Sequence, residues 1–123
     1  MIIQGGMIHI GDGTVIKNGY LRLEAGKIAE VAPGPYNGED LEILDARGMI
    51  VTPGFIDAHC HVGMWEEGLD FEGDDGNEMT DPCTPHLRAI DAVNPLDRAF
   101  QEALDYGVTT VVTGPGSANP VAG

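Results

Sequence analysis

Short apolar runs cut by glycine fill the first half of the chain. Residues 7–10 form one run, closed by Gly11-Asp12-Gly13, and residues 14–16 form the next. Lys17-Asn18-Gly19 reads as a turn, after which residues 20–24 alternate, with Leu21 and Leu23 on one face. Ala25-Gly26-Lys27 is a second turn and residues 28–31 a further strand. Runs of this length bounded by Gly, Asn and Asp predict antiparallel strands joined by hairpins. Residues 33–40 carry two prolines and two glycines and read as a loop. Residues 41–44 and 49–51 are the next strands. The first 52 residues therefore predict an all-β part, the N-terminal half of a small β-sandwich.

The pattern changes at residue 53. Pro53-Gly54 leads into Phe55-Ile56-Asp57-Ala58-His59-Cys60-His61-Val62, which reads as a buried strand. Residues 63–85 form a long acidic loop holding Glu66, Glu67, Asp70, Glu72, Asp74, Asp75, Glu78 and Asp81. A loop of this length in a compact domain is functional or disordered; it reads first as a solvated lid and next as plain disorder, with poor order expected in the isolated chain. Residues 87–93 are ambiguous between loop and a short helical turn. The clearest helix spans 94–106. Asn94 serves as N-cap and Pro95 takes the first helical position. Leu96, Ala99, Phe100, Ala103 and Leu104 form the apolar stripe, with Asp97 in the first turn and Gly107 as the stop. Residues 108–112 are β-branched throughout and predict a second buried strand. Strand, loop, helix and strand make a βαβ unit over residues 53–123, giving an α/β fold appended to the all-β part. Residues 113–123 are a glycine-rich tail with no Lys and no helix after it, which excludes a P-loop. Two parallel strands leave open edges and little core, so the chain reads as cut short.

His59 and His61 are the candidate metal ligands. Side chains two apart on a strand share a face, and imidazole suits Zn, Fe and Ni. Cys60 points the other way, into packing. Asp57 shares the face of His59, placed either to orient a ligand histidine from behind or to hold backbone donors at the strand end. A catalytic zinc needs about three protein ligands, and the spacing alone supplies two. His86 reads as a surface or hydrogen-bonded side chain rather than a third ligand, and His9 as structural. Asp70, Glu72 and Asp74 have the spacing of a calcium loop. Asp75 stands where that loop needs glycine, and Asp81 where it needs Glu. Trp65 faces either substrate or the rim of the fold.

Charge narrows the partners. Six basic residues against 20 acidic ones give a net charge of −14, which opposes binding to nucleic acid or an anionic membrane. No run approaches the ~20 apolar residues of a membrane span, and no signal peptide is evident at the N-terminus. Two cysteines, one between two histidines, point to a reducing, cytoplasmic setting.

The run Val51-Thr52-Pro53-Gly54-Phe55-Ile56-Asp57-Ala58-His59-Cys60-His61 closely resembles the first barrel strand of the amidohydrolase superfamily. More narrowly it resembles the branch of imidazolonepropionases, dihydroorotase-like enzymes and cyclic-amide hydrolases. Asn18-Gly19-Tyr20, residues 26–31 and Asp45-Ala46-Arg47-Gly48 resemble the β-sandwich that precedes the barrel there. Gly107-Val108-Thr109-Thr110-Val111 resembles the junction into its second strand. The resemblance implies the first βαβ unit of an incomplete (β/α)₈ TIM barrel. It also implies one or two divalent metals at the barrel mouth, Zn first, with Fe, Ni or Mn as alternatives. The metal lowers the pKa of a bound water and polarises a scissile carbonyl or imine. By the same resemblance, His59 and His61 match the first-strand ligands, and the remaining ligands and a general-base Asp are expected beyond residue 123. A complete barrel takes about 250 residues. The implied parent is a metal-dependent amidohydrolase of non-peptide C–N bonds, in cyclic amides or amidines, with a small-molecule substrate. The 123 residues alone are expected to be inactive, and open sheet edges predict a homo-oligomer. The other reading is an inactive module that associates with itself or with a partner.

Overall fold

The computed structural model describes residues 1–39 and 42–122. Leu41, with which the sequence reading opens its fifth strand, lies outside the described residues. The chain divides into two compact units, Met1–Pro53 and the part from Gly54 onward. Strands dominate the first, whose sheet is mixed, and the second combines two strands with a helix.

In the first unit, β1 (Ile2–His9), β2 (Val15–Glu24) and β3 (Lys27–Pro33) form an antiparallel meander. Ile2, Ile8 and Leu21 are buried, and burying a side chain of that size contributes about 1.5–3 kcal/mol. The short strands β4 (Ile43–Asp45) and β5 (Ile50–Val51) both pair with β1. They run parallel to it, a direction that the sequence of these two runs leaves open. Residues 34–42 intervene between β3 and β4, long enough to carry the chain back to the far edge of β1, so no hairpin is imposed. Lys17-Asn18-Gly19 is not a turn either. It lies inside β2, where the register against β1 slips beside Gly6. Asn18 takes a φ of 55°, a left-handed conformation that Asn tolerates, and the extra residue is absorbed as a bulge.

In the second unit, β6 (Phe55–Cys60) pairs in parallel with β7 (Val108–Thr113), and α1 (Arg98–Asp105) lies between them in sequence and packs on β7. The helix starts one turn later than expected. Asn94 caps a turn instead, its side chain accepting from Leu96 N–H at 3.0 Å. Asp97 is the true N-cap, accepting from Ala99 N–H at 3.1 Å. Leu96 therefore stays exposed. Gly107, at φ 87°, ends the helix as its position suggests. The two strands are not buried. Phe55 is 58 % exposed, Ile56 69 % and Val112 58 %, because a two-stranded sheet with one short helix cannot cover both of its faces.

The acidic segment carries local structure of its own. A 3₁₀ turn at Phe71–Gly73, a bridge between Trp65 and Asp74, and a second bridge between Cys83 and Val121 shape it. Several of its carboxylates cap their own backbone: Asp74, Glu78 and Asp81 accept from Gly76, Thr80 and Cys83 N–H groups. Another 3₁₀ turn, Ala89–Asp91, occupies the ambiguous stretch. Both cysteines are free. Among the described residues, no helix is long and apolar enough to cross a membrane.

Candidate metal centre

β6 carries its chemistry at its C-terminal end. His59 is exposed and His61, one residue past the strand, is half-buried. Their ring centroids lie 5.4 Å apart at an interplanar angle of 76°. Two imidazoles binding one ion at about 2.0–2.1 Å place their centroids roughly 5 Å apart, so the pair is spaced to share a cation.

The His61 ring is oriented from behind. Its Nδ1 lies 2.7 Å from the carbonyl oxygen of Gly114. A carbonyl only accepts, so a neutral His61 carries its proton on Nδ1 and leaves the Nε2 lone pair free. That is the ligand tautomer, stabilised in the way metal-binding histidines are commonly held. Gly114 is brought there by Gly114 N–H donating to Cys60 O at 3.2 Å and by the Thr113 hydroxyl donating to Val62 O at 2.7 Å. The Asp57 carboxylate accepts from the backbone N–H of His59 at 3.1 Å. On the far side of His61 stands Trp65, edge to face, with centroids 4.9 Å apart.

Two imidazoles with one tautomer fixed offer two nitrogen donors of the kind a divalent cation takes. Among the described residues no group of three or more His, Cys, Asp or Glu side chains converges on one point. His86 is exposed and lines a cleft of about 370 Å³ together with Met64, Asp75, Glu78, Arg88 and Asp91. Glu78 in that cleft is held below the ordinary carboxylate range, chiefly by hydrogen bonds from Thr80. His9 lies on β1 in the first unit.

The spacing of His59 and His61 is visible in the sequence, but three of their supports are not. Gly114 acts through its carbonyl, which no side-chain pattern marks. Trp65 stands out in the sequence only as the single tryptophan. Asp97, 6 % exposed, accepts from Gly63 N–H at 3.0 Å and Glu67 N–H at 3.3 Å, tying the loop after β6 to the start of α1.

No family model matches the chain. It is 39 % identical over 109 residues to the amidohydrolase tasK of Hapsidospora irregularis, which covers 85 % of this chain and 11 % of that protein. It is 36 % identical over 63 residues to an adenine deaminase of Clostridium botulinum, covering 50 % of this chain and 10 % of the relative. Among solved structures it is similar to an amidohydrolase from Thermotoga maritima, with a TM-score of 0.84 and 41 % identity over 99 % of this chain and 31 % of that one. The chain thus spans about a tenth of the length of these curated relatives and under a third of the solved one.

Proposed function

The chain belongs to the amidohydrolase superfamily, and from that premise we propose that it contributes the first two metal ligands of a hydrolase of non-peptide C–N bonds. One geometric feature carries this reading: His59 and His61 share the end of β6, with the Nδ1 of His61 committed to Gly114 O and its Nε2 left free. The relatives' names, an amidohydrolase and an adenine deaminase, support C–N bond hydrolysis as the reaction class. Cyclic amides or amidines are the proposed substrates.

In this reading β6, α1 and β7 are the first β-α-β unit of a (β/α)₈ barrel, and the histidines stand on the face where such barrels place their chemistry. A divalent cation, Zn first among Zn, Fe, Ni and Mn, supplies Lewis acidity there toward a water and the scissile carbon's heteroatom. The protein's own share is positional. Gly114 O holds the proton of His61 on Nδ1, so the ring needs no tautomer change to act as a ligand. Asp57 holds the His59 backbone at the strand end. The described residues offer no converging third ligand, so we place the remaining ligands and the general-base Asp outside these 123 residues.

The test is ring opening or ammonia release from a panel of cyclic amides and amidines. The enzyme is the protein that carries this chain with whatever sequence adjoins it. Activity that falls to background in His59→Ala and in His61→Ala is the expected result; undiminished turnover in both would overturn the reading. The 123-residue chain by itself is expected to show no turnover, and metal-dependent hydrolysis by it would contradict the placement of the missing groups.

A further inference from the structure

We propose that Trp65 is a positioning residue for His61: its indole, seated on Gly76, fixes the imidazole in the orientation that presents Nε2 to a cation. The proposal deepens the metal reading and rests on it for its purpose, though not for its geometry.

A single hydrogen bond from Nδ1 to Gly114 O fixes one atom of the ring and leaves the ring free to hinge about that contact. The indole removes this freedom. It stands 4.9 Å from the imidazole at 75°, an edge-to-face arrangement that aromatic rings favour. His59 stands on another side at 5.4 Å and 76°. The imidazole is thus bounded by a carbonyl, an indole and its partner ligand.

Trp65 is itself held by the backbone. It bridges to Asp74, with Glu66 N–H donating to Gly73 O at 3.0 Å and Asp75 N–H donating to Met64 O at 2.9 Å. The indole lies so close to Gly76 that a Cβ added there would come within 2.0–2.4 Å of three of its ring atoms. The Gly76 carbonyl accepts from Gly116 N–H at 2.7 Å, so this floor is tied to the same loop that supplies Gly114. Asp97 holds Gly63 and Glu67 on either side of Trp65. Yet Trp65 is 36 % exposed, so filling a core does not account for a side chain held on so many sides. The acidic segment that carries it thereby gains a role its charge does not reveal.

The ring can be read without metal. In the metal-free 123-residue chain, ¹⁵N NMR of the histidine rings should show His61 as the Nδ1–H tautomer, with NOEs to the only indole in the sequence. Trp65→Ala should mix the tautomers and weaken Co²⁺ binding by calorimetry about 10–100-fold, the usual cost of losing a group that orients a ligand. Trp65→Phe should keep the tautomer and stay within about threefold of wild type in Co²⁺ affinity. Gly76→Ala, which displaces the indole without removing it, should behave as Trp65→Ala does. An unchanged tautomer and affinity in Trp65→Ala, or a Trp65→Phe as impaired as Trp65→Ala, would overturn the proposal. If Trp65→Ala loses its fold by circular dichroism, the wild type decides: absent indole–imidazole NOEs or a mixed tautomer overturn it, and their presence with a retained tautomer in Trp65→Phe supports it. A 123-residue wild type that takes up no Co²⁺ shows only that two ligands do not suffice, which the placement of the remaining ligands outside it allows, and the ring measurement then decides the proposal by itself.

Discussion

Asp97 gathers three backbone N–H groups, those of Gly63, Glu67 and Ala99, onto one nearly buried carboxylate. It caps α1 and anchors the loop after β6 at once. Removing it leaves three donors without that acceptor, and each bond to a charged group is worth about 1.5–3 kcal/mol. Because water reaches part of the vacated space, Asp97→Ala should destabilise the second unit by about 2–3 kcal/mol in urea unfolding; a loss below about 0.5 kcal/mol would contradict this role. Sequence pattern placed Asp97 near a helix start and saw its charge. It could not see partners 30 and 34 residues away. The proximity of His59 and His61 was legible because the strand period alone brings i and i+2 to one face. Their orientation was not, since it depends on a carbonyl 53 residues distant.

At the scale of elements, local turn chemistry was readable where it acts locally and misleading where a partner strand decides. Gly26 and the meander of β1, β2 and β3 follow from the hairpin pattern. Asn18-Gly19 has turn composition, yet pairing with β1 on one side and β3 on the other holds it within a strand. A β-branched residue resists that left-handed backbone, so Asn18→Val should cost about 1–2 kcal/mol, measured by thermal or urea unfolding; an unchanged midpoint would argue against the bulge. The parallel placement of β4 and β5 depends on a crossover that no short window encodes. Between β2 and β3, the Tyr20 hydroxyl donates to Glu30 at 2.6 Å and Arg22 approaches it at 3.4 Å. The Tyr20 bond first, and Arg22 after it, hold Glu30 below the ordinary carboxylate range. A carboxyl whose folded pKa is depressed adds stability above its unfolded pKa and loses it as pH falls through the folded value. Wild type should therefore exceed Glu30→Gln in urea midpoint at pH 7, and the gap should close below about pH 4. A gap that persists at pH 2.5 would show that the side chain acts by packing instead.

For the whole molecule, an exposed apolar sheet and a net charge of −14 pull in opposite directions. Phe55, Ile56 and Val112 favour association through β6 and β7, while like charges oppose it and are screened by salt. We propose that the chain self-associates, and that the average mass by sedimentation rises with concentration and more steeply at 0.5 M salt. A single monomeric species at high concentration in high salt would contradict this. The proposed barrel start, cation and reaction class all rest on the two histidines at the end of β6. Zinc content after equilibrium dialysis of the protein that carries this chain with its adjoining sequence, wild type against the His59→Ala/His61→Ala double variant, weighs that reading. The account predicts bound zinc in the wild type and none in the double variant; equal zinc in the two proteins, or none in either, would contradict it.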